Sequence, residues 1–110
     1  MPERIMYVQL KTGYDLDRGP SWIARVRFTK SWRTAYVHGR ALKRVTGTAY
    51  ANTDSNFFDA ETGEGFWVSG PKRDRTDGRY CAALPTVDDD VAEIYQTFLD
   101  GSSLPGREKG

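Results

Sequence analysis

Cysteine and histidine are nearly absent from this sequence. Cys81 is the only thiol among its 110 residues, and His38 is the only imidazole. A lone cysteine forms no intrachain disulfide, and one cysteine with one histidine provides no zinc-ligand spacing. We therefore expect neither a disulfide framework nor a metal site. An unpaired thiol is typical of a reducing compartment, so the sequence predicts a cytoplasmic protein.

Long apolar runs and phosphate-binding glycine motifs are also missing. No apolar segment approaches the ~20 residues that cross a bilayer, and residues 1–5 do not begin an apolar signal sequence. We therefore expect no membrane contact. Gly63, Gly65 and Gly70 lie in or beside a predicted hairpin, whereas a dinucleotide-binding motif lies between a strand and a long helix. The sequence therefore predicts no bound cofactor and identifies no catalytic residue.

Aromatic residues, in contrast, are abundant: three Trp, six Tyr and five Phe, or 13% of the chain, which favours strands. Period-two alternation predicts strands at 4–11 and 21–29. A third strand is predicted at 33–45, bent or broken at Gly39, and two aromatic runs within 57–68 predict a hairpin. The residues expected to face inward on the first two strands are Met6, Val8, Leu10, Trp22, Ala24, Val26 and Phe28.

The carboxyl-terminal part of the sequence predicts a short last strand at 79–84 and then a helix at 88–100. Thr86 or Asp88 is the expected N-cap, and Gly101 ends the helix. Its apolar stripe consists of Val91, Ile94, Tyr95, Phe98 and Leu99. We predict one mainly β (α+β) domain at 1–101, a small antiparallel barrel or strongly curved sheet of five to six strands with one C-terminal helix. Residues 102–110 are expected to form a flexible tail.

Positive charge is concentrated in one stretch of the chain. Eight Lys or Arg residues and no acidic residue lie between positions 18 and 53, interleaved with aromatic residues. Cations that contact phosphates and rings that stack on bases are typical of modules that bind single-stranded nucleic acid. The sequence therefore predicts a nucleic-acid interface with Trp32 as its exposed ring, formed by Arg25, Arg27, Lys30, Trp32, Arg33, Tyr36, His38 and Arg40.

Two other interpretations remain open at this point. The chain is a protein-interaction or structural domain if residues 66–68 or Trp32 contact another chain. It is a small enzyme if His38 acts as a general base. Salt dependence separates the first of these from nucleic-acid binding, because phosphate contacts weaken steeply with ionic strength and apolar contacts do not.

Several segments of the chain are similar to a known family. They are RIMYVQLKTG at 4–13, GPSWI at 19–23, KSWRTAY at 30–36, NFFDAETGE at 56–64 and FWVSGPK at 66–72. With these segments, nearly the whole chain resembles a group of short bacterial proteins of unknown function, some of which carry the name 1-deoxy-D-xylulose-5-phosphate synthase. A synthase of that kind is a large thiamine-diphosphate enzyme with a Gly-Asp-Gly segment that binds the diphosphate. This sequence has no Gly-Asp-Gly, so we expect no such activity, and the resemblance assigns no functional residues.

Overall fold

A computed structural model of the chain describes residues 2–11, 19–47, 55–72, 84–102 and 104. Within them lie seven strands, a short 3₁₀ helix and one α-helix. In chain order they are β1 (Glu3–Leu10), β2 (Ser21–Phe28), β3 (Thr34–Val37), β4 (Arg40–Arg44), β5 (Phe57–Asp59), β6 (Gly65–Ser69), β7 (Thr86–Val87), the 3₁₀ helix (Asp89–Val91) and α1 (Ala92–Leu99).

The first six strands form a closed antiparallel barrel. Each strand pairs with the next one along the chain, and β6 pairs back with β1, where Tyr7 lies opposite Ser69. The two-residue strand β7 adds to β2 in parallel, with Trp22 opposite Thr86. The predicted small barrel with one carboxyl-terminal helix is confirmed, and β7 is an addition that period-two alternation did not reveal.

The barrel interior is an apolar core. Its buried members include Val8, Val26, Phe28, Leu42 and Phe57. The residues predicted to face inward on β1 and β2 do so, because alternation places every second side chain on the same face of a strand. Burial of these side chains away from water is the main force that holds the six strands together.

A second core lies outside the barrel, where α1 covers the outer surface of β1 and β2. Ile5, Tyr7 and Ile23 from the strands pack with Val91 and Tyr95, and with Leu104 beyond the helix. The helix therefore covers one side of the barrel and does not plug an end. The expected tail is wrong at Leu104, which is only 2% exposed, because the chain returns to the barrel after the helix. No helix in the described ranges is long and apolar enough to cross a membrane.

The strand predicted at 33–45 is broken at Gly39, where the chain reverses and separates β3 from β4. His38 and Gly39 have φ angles of 51° and 74° and join β3 to β4 as a two-residue turn. Positive φ at both central residues is the geometry of the type I′ hairpin turn, which matches the twist of the strands. Residues 57–68 form the expected hairpin. The strand predicted at 79–84 lies outside the described residues except for Leu84, which belongs to no strand.

The helix begins differently from the prediction. A 3₁₀ turn at Asp89–Val91 precedes α1, and no side chain forms a capping hydrogen bond at either start. Asp88 occupies the capping position but directs its carboxylate to His38. Gly101 ends the helix as expected, with a φ of 121° that a residue with a side chain rarely adopts.

Candidate nucleic-acid interface

The outer surface of β2, β3 and β4 carries positive charge around one exposed aromatic ring. Arg27 lies opposite Tyr36, and Thr34 lies opposite Lys43. Because side chains alternate along a strand, Arg27, Tyr36 and Lys43 point outward together. Tyr36 is 40% exposed, which makes it the most exposed aromatic side chain in the described ranges. We call Arg25, Arg27, Tyr36 and Lys43 the basic face.

Acidic residues from distant parts of the chain reach one side of the basic face. Glu3 lies 3.7 Å from Arg25 and 3.6 Å from Arg27, and Asp90 lies 3.4 Å from Arg25. All four side chains are more than a third exposed, and exposed pairs of this kind contribute about 1 kcal/mol or less. A phosphate group can therefore replace these carboxylates at modest cost, more readily at Arg27 than at the doubly paired Arg25.

The turn between β2 and β3 adds two cations beside the basic face. Lys30 and Arg33 are both exposed, and neither forms an ion pair with a carboxylate of the described residues. The turn is closed by the backbone N–H of Trp32, which donates to the carbonyl of Thr29 at 2.9 Å. These two side chains extend the positive surface along the edge of the barrel.

Trp32 does not have the exposure that its turn position predicts. Its side chain is half-buried and packs on the barrel core, with its ring centroid 4.8 Å from that of Phe28. The Arg4 guanidinium lies over the Trp32 ring at 5.3 Å. Both contacts restrict the access of a base to this ring, so Tyr36 is the better platform for stacking.

His38 lies in the turn between β3 and β4, at the end of β3 opposite Trp32. Its Nε2 lies 2.6 Å from Asp88 Oδ2, and its ring meets the edge of Trp22 at 5.4 Å. A histidine that is oriented by a carboxylate is a common arrangement for a general base. In the described part of the chain, the His38 side chain forms no hydrogen bond other than the one to Asp88.

Arg40 is already engaged by two carboxylates. Its Nη1 lies 2.9 Å from Asp59 Oδ2 and 2.7 Å from Glu64 Oε1. The hydrogen bond to Glu64 raises the pKa of the Arg40 guanidinium, and the same bond lowers the pKa of the Glu64 carboxyl. Arg40 also lies 5.4 Å from the ring of Phe66. This cation therefore stabilises its end of the barrel and has little capacity left for a phosphate.

The eight residues predicted for the interface fall into two groups. The first group lines a cleft of about 470 Å³ and consists of Arg25, Arg27, Tyr36, His38 and Arg40. Asp88 and Asp90 line the same cleft, so it carries both charge signs. The second group, Lys30, Trp32 and Arg33, lies in the turn at the other end of the β2–β3 pairing.

Sequence reasoning missed several residues that matter to this surface. Lys43 could have been identified from the alternation of β4 if the turn at residues 38–39 had been recognised. Glu3 and Asp90 carry no local signal, because Asp90 is 65 positions from its partner Arg25. The segment at 66–68 proposed for protein contacts is largely internal, since Phe66 and Val68 are buried in the barrel core. In the described ranges no cluster of three potential metal-ligating side chains occurs.

Comparison with protein-family models, with curated proteins and with solved structures found no match to this chain.

Proposed function

We propose that this protein is a small non-enzymatic binding module that contacts single-stranded nucleic acid through the basic face. The observation that carries the proposal is the exposed ring of Tyr36 on β3, which lies opposite Arg27 on β2, with Lys43 on the same outer face of the next strand, β4. Exposed rings provide stacking surfaces for bases of any sequence, and flanking cations contact the phosphates. The arrangement therefore favours binding with little sequence preference.

The dimensions of the basic face make the binding weak. Three neighbouring strands extend over about 10 Å, so only a few phosphates are in reach at one time. Within the described ranges, the cations of this surface without a close carboxylate partner are Lys43 on β4 and Lys30 and Arg33 in the adjoining turn. Arg27 becomes available when a phosphate replaces Glu3. We therefore expect about three to five phosphate contacts, each releasing a condensed counterion.

Salt dependence gives the first test. With single strands, each contact contributes about −0.7 to the slope of log affinity against log salt. Three contacts then predict a loss of about twentyfold between 50 and 200 mM salt, and five contacts predict about a hundredfold. Fluorescence anisotropy of a labelled oligodeoxythymidine measures this directly. Affinity that does not change with salt, or no binding at high micromolar protein, would refute the proposal.

Substitutions separate stacking from charge. Tyr36→Ala should weaken binding about tenfold, since a stacked base contributes about 1–3 kcal/mol, and should leave the salt slope unchanged. Tyr36→Phe keeps the ring and should bind like the parent. Arg27→Gln combined with Lys43→Gln should reduce the magnitude of the slope by about 1.4. Lys72→Gln removes an exposed cation that follows β6, a strand that pairs with none of β2, β3 and β4, and should change neither quantity.

A further inference from the structure

One end of the barrel contains a cavity of about 350 Å³. Its floor is apolar and consists of the buried side chains Phe28, Phe57 and Val68 together with Met6. We call this the Arg4 end, because the first strand contributes Arg4 to its lining. The volume falls at the lower limit of ordinary small-molecule pockets, so it suits a compact ligand.

Two guanidinium groups line the Arg4 end. Arg4 lies over the ring of Trp32 at 5.3 Å, and Arg44 lies over the ring of Phe57 at 4.8 Å. Neither arginine forms an ion pair with a carboxylate in the described ranges. Arg40 at the opposite end of the barrel, in contrast, is held by two carboxylates. The Arg4 end therefore presents positive charge over an apolar floor with no described anion to balance it.

One residue at this end, Trp32, has a strained backbone conformation. Trp32 has a φ of 61°, in the left-handed region that bulky residues rarely adopt and that glycine or asparagine usually occupies at a turn. Arg44 Nε donates to the Trp32 carbonyl at 3.1 Å and helps to hold this conformation. Residues kept in unfavourable backbone regions concentrate at ligand sites. The tryptophan ring thus forms a fixed wall of the cavity.

The amide of Asn56, another polar group of the lining, is partly engaged by the backbone. Asn56 donates from Nδ2 to the carbonyl of Val68 at 2.7 Å and accepts from the N–H of Val68 at 2.8 Å. The main features left to recognise a ligand are therefore the two cations and the apolar surface below them. A guanidinium offers planar, paired donors that match a carboxylate, phosphate or sulfonate.

We propose that the Arg4 end binds a small organic anion, with an aromatic or apolar body in the cavity and one anionic group on Arg4 and Arg44. This site does not depend on the nucleic-acid proposal, because neither arginine belongs to the basic face. The ligand class follows from the charge and from the volume. A body without an anion would leave the guanidinium groups unmatched, and an inorganic anion would leave the apolar floor empty.

The probe for the test is 8-anilino-1-naphthalenesulfonate, which combines an aromatic body with one sulfonate and fluoresces when it leaves water. Its neutral control is N-phenyl-1-naphthylamine, which has the same rings and no charge. We expect saturable binding of one sulfonate molecule per chain and at least tenfold weaker binding of the neutral compound. Equal affinity for the two compounds would overturn the proposal, and so would several equivalent sulfonate sites.

Variants locate the site. Arg4→Gln and Arg44→Gln should each weaken sulfonate binding about tenfold and leave the affinity for the neutral compound unchanged, whereas Arg27→Gln on the basic face should have no effect. Nuclear magnetic resonance of the parent protein gives an independent readout that requires no variant to fold. The indole N–H of Trp32 should shift on titration, while those of Trp22 and Trp67 should not. Unchanged Trp32 resonances at saturation would refute the assignment.

Discussion

Arg40 holds two carboxylates through one nitrogen, and we expect the two bonds to differ in strength. The distance to Glu64, 2.7 Å, is shorter than the distance to Asp59, 2.9 Å, so length alone ranks Glu64 first. Burial ranks Asp59 first, because its side chain is 6% exposed and that of Glu64 is 31% exposed. Coulomb attraction strengthens as water is excluded, and we therefore expect the pair with Asp59 to dominate.

The cost of removing Arg40 follows from the same geometry. Breaking a fully buried ion pair by deleting one partner costs about 3–5 kcal/mol. Arg40 is 39% exposed, and the Asp59 carboxylate keeps a 2.9 Å hydrogen bond from the backbone N–H of Glu61, so the cost is lower here. We expect Arg40→Met to reduce the free energy of unfolding by about 2 kcal/mol.

Double-mutant cycles divide this loss between the two carboxylates. The coupling energy between Arg40→Met and Asp59→Asn should be about 1–2 kcal/mol, and that between Arg40→Met and Glu64→Gln below about 1 kcal/mol. Urea unfolding followed by tryptophan fluorescence measures each variant, with Arg27→Met as the control for an exposed pair. A larger coupling for Glu64 would refute the argument from burial.

Three further predictions concern stability in acid, the packing of the helix and the binding of thiamine diphosphate. Since Arg40 lowers the pKa of Glu64 below its ordinary 4.5, that contact contributes stability above the unfolded-state pKa, and the contribution is lost as pH falls through the folded-state pKa. Glu64→Gln should therefore flatten the acid limb of a plot of urea midpoint against pH. Tyr95→Ala should cost about 3–5 kcal/mol of unfolding free energy, whereas the half-buried Phe98 should cost clearly less when replaced by Ala. Calorimetric titration with thiamine diphosphate should give no saturable heat.

Much of the barrel could be predicted because alternation marks the core-facing side of its first strands, although β1 also buries Ile5 and Tyr7 on its other face. In β1 and β2 the inward set is apolar at every second position, which fixes both the strand and the face it buries. The sequence predicted a bend or break at Gly39 but not a tight hairpin turn, because Asn-Gly or Asp-Gly usually marks a type I′ turn and His-Gly carries no comparable signal.

The charged surface was less predictable than the core. The local run of cations predicted a positive surface, but Glu3 and Asp90 approach that surface only after the barrel has formed. The exposure of a ring also depends on tertiary contacts. Trp32 occupies a turn, where rings are usually exposed, but contacts with Phe28 and Arg4 leave its ring only half-exposed. Ion pairs and ring contacts between distant residues leave no pattern in the linear sequence.

Closure of the barrel depends on β1, which pairs with both β2 and β6. Strands β2 to β6 are joined in series by pairings between neighbours in the chain, whereas β1 alone joins the two ends of that series, pairing with β2 and with β6. Removing residues 2–11 would therefore open the ring and leave two strand edges with unpaired backbone groups. Such edges invite pairing with another chain. We expect removal of residues 2–11 to cause strand exchange between molecules or aggregation.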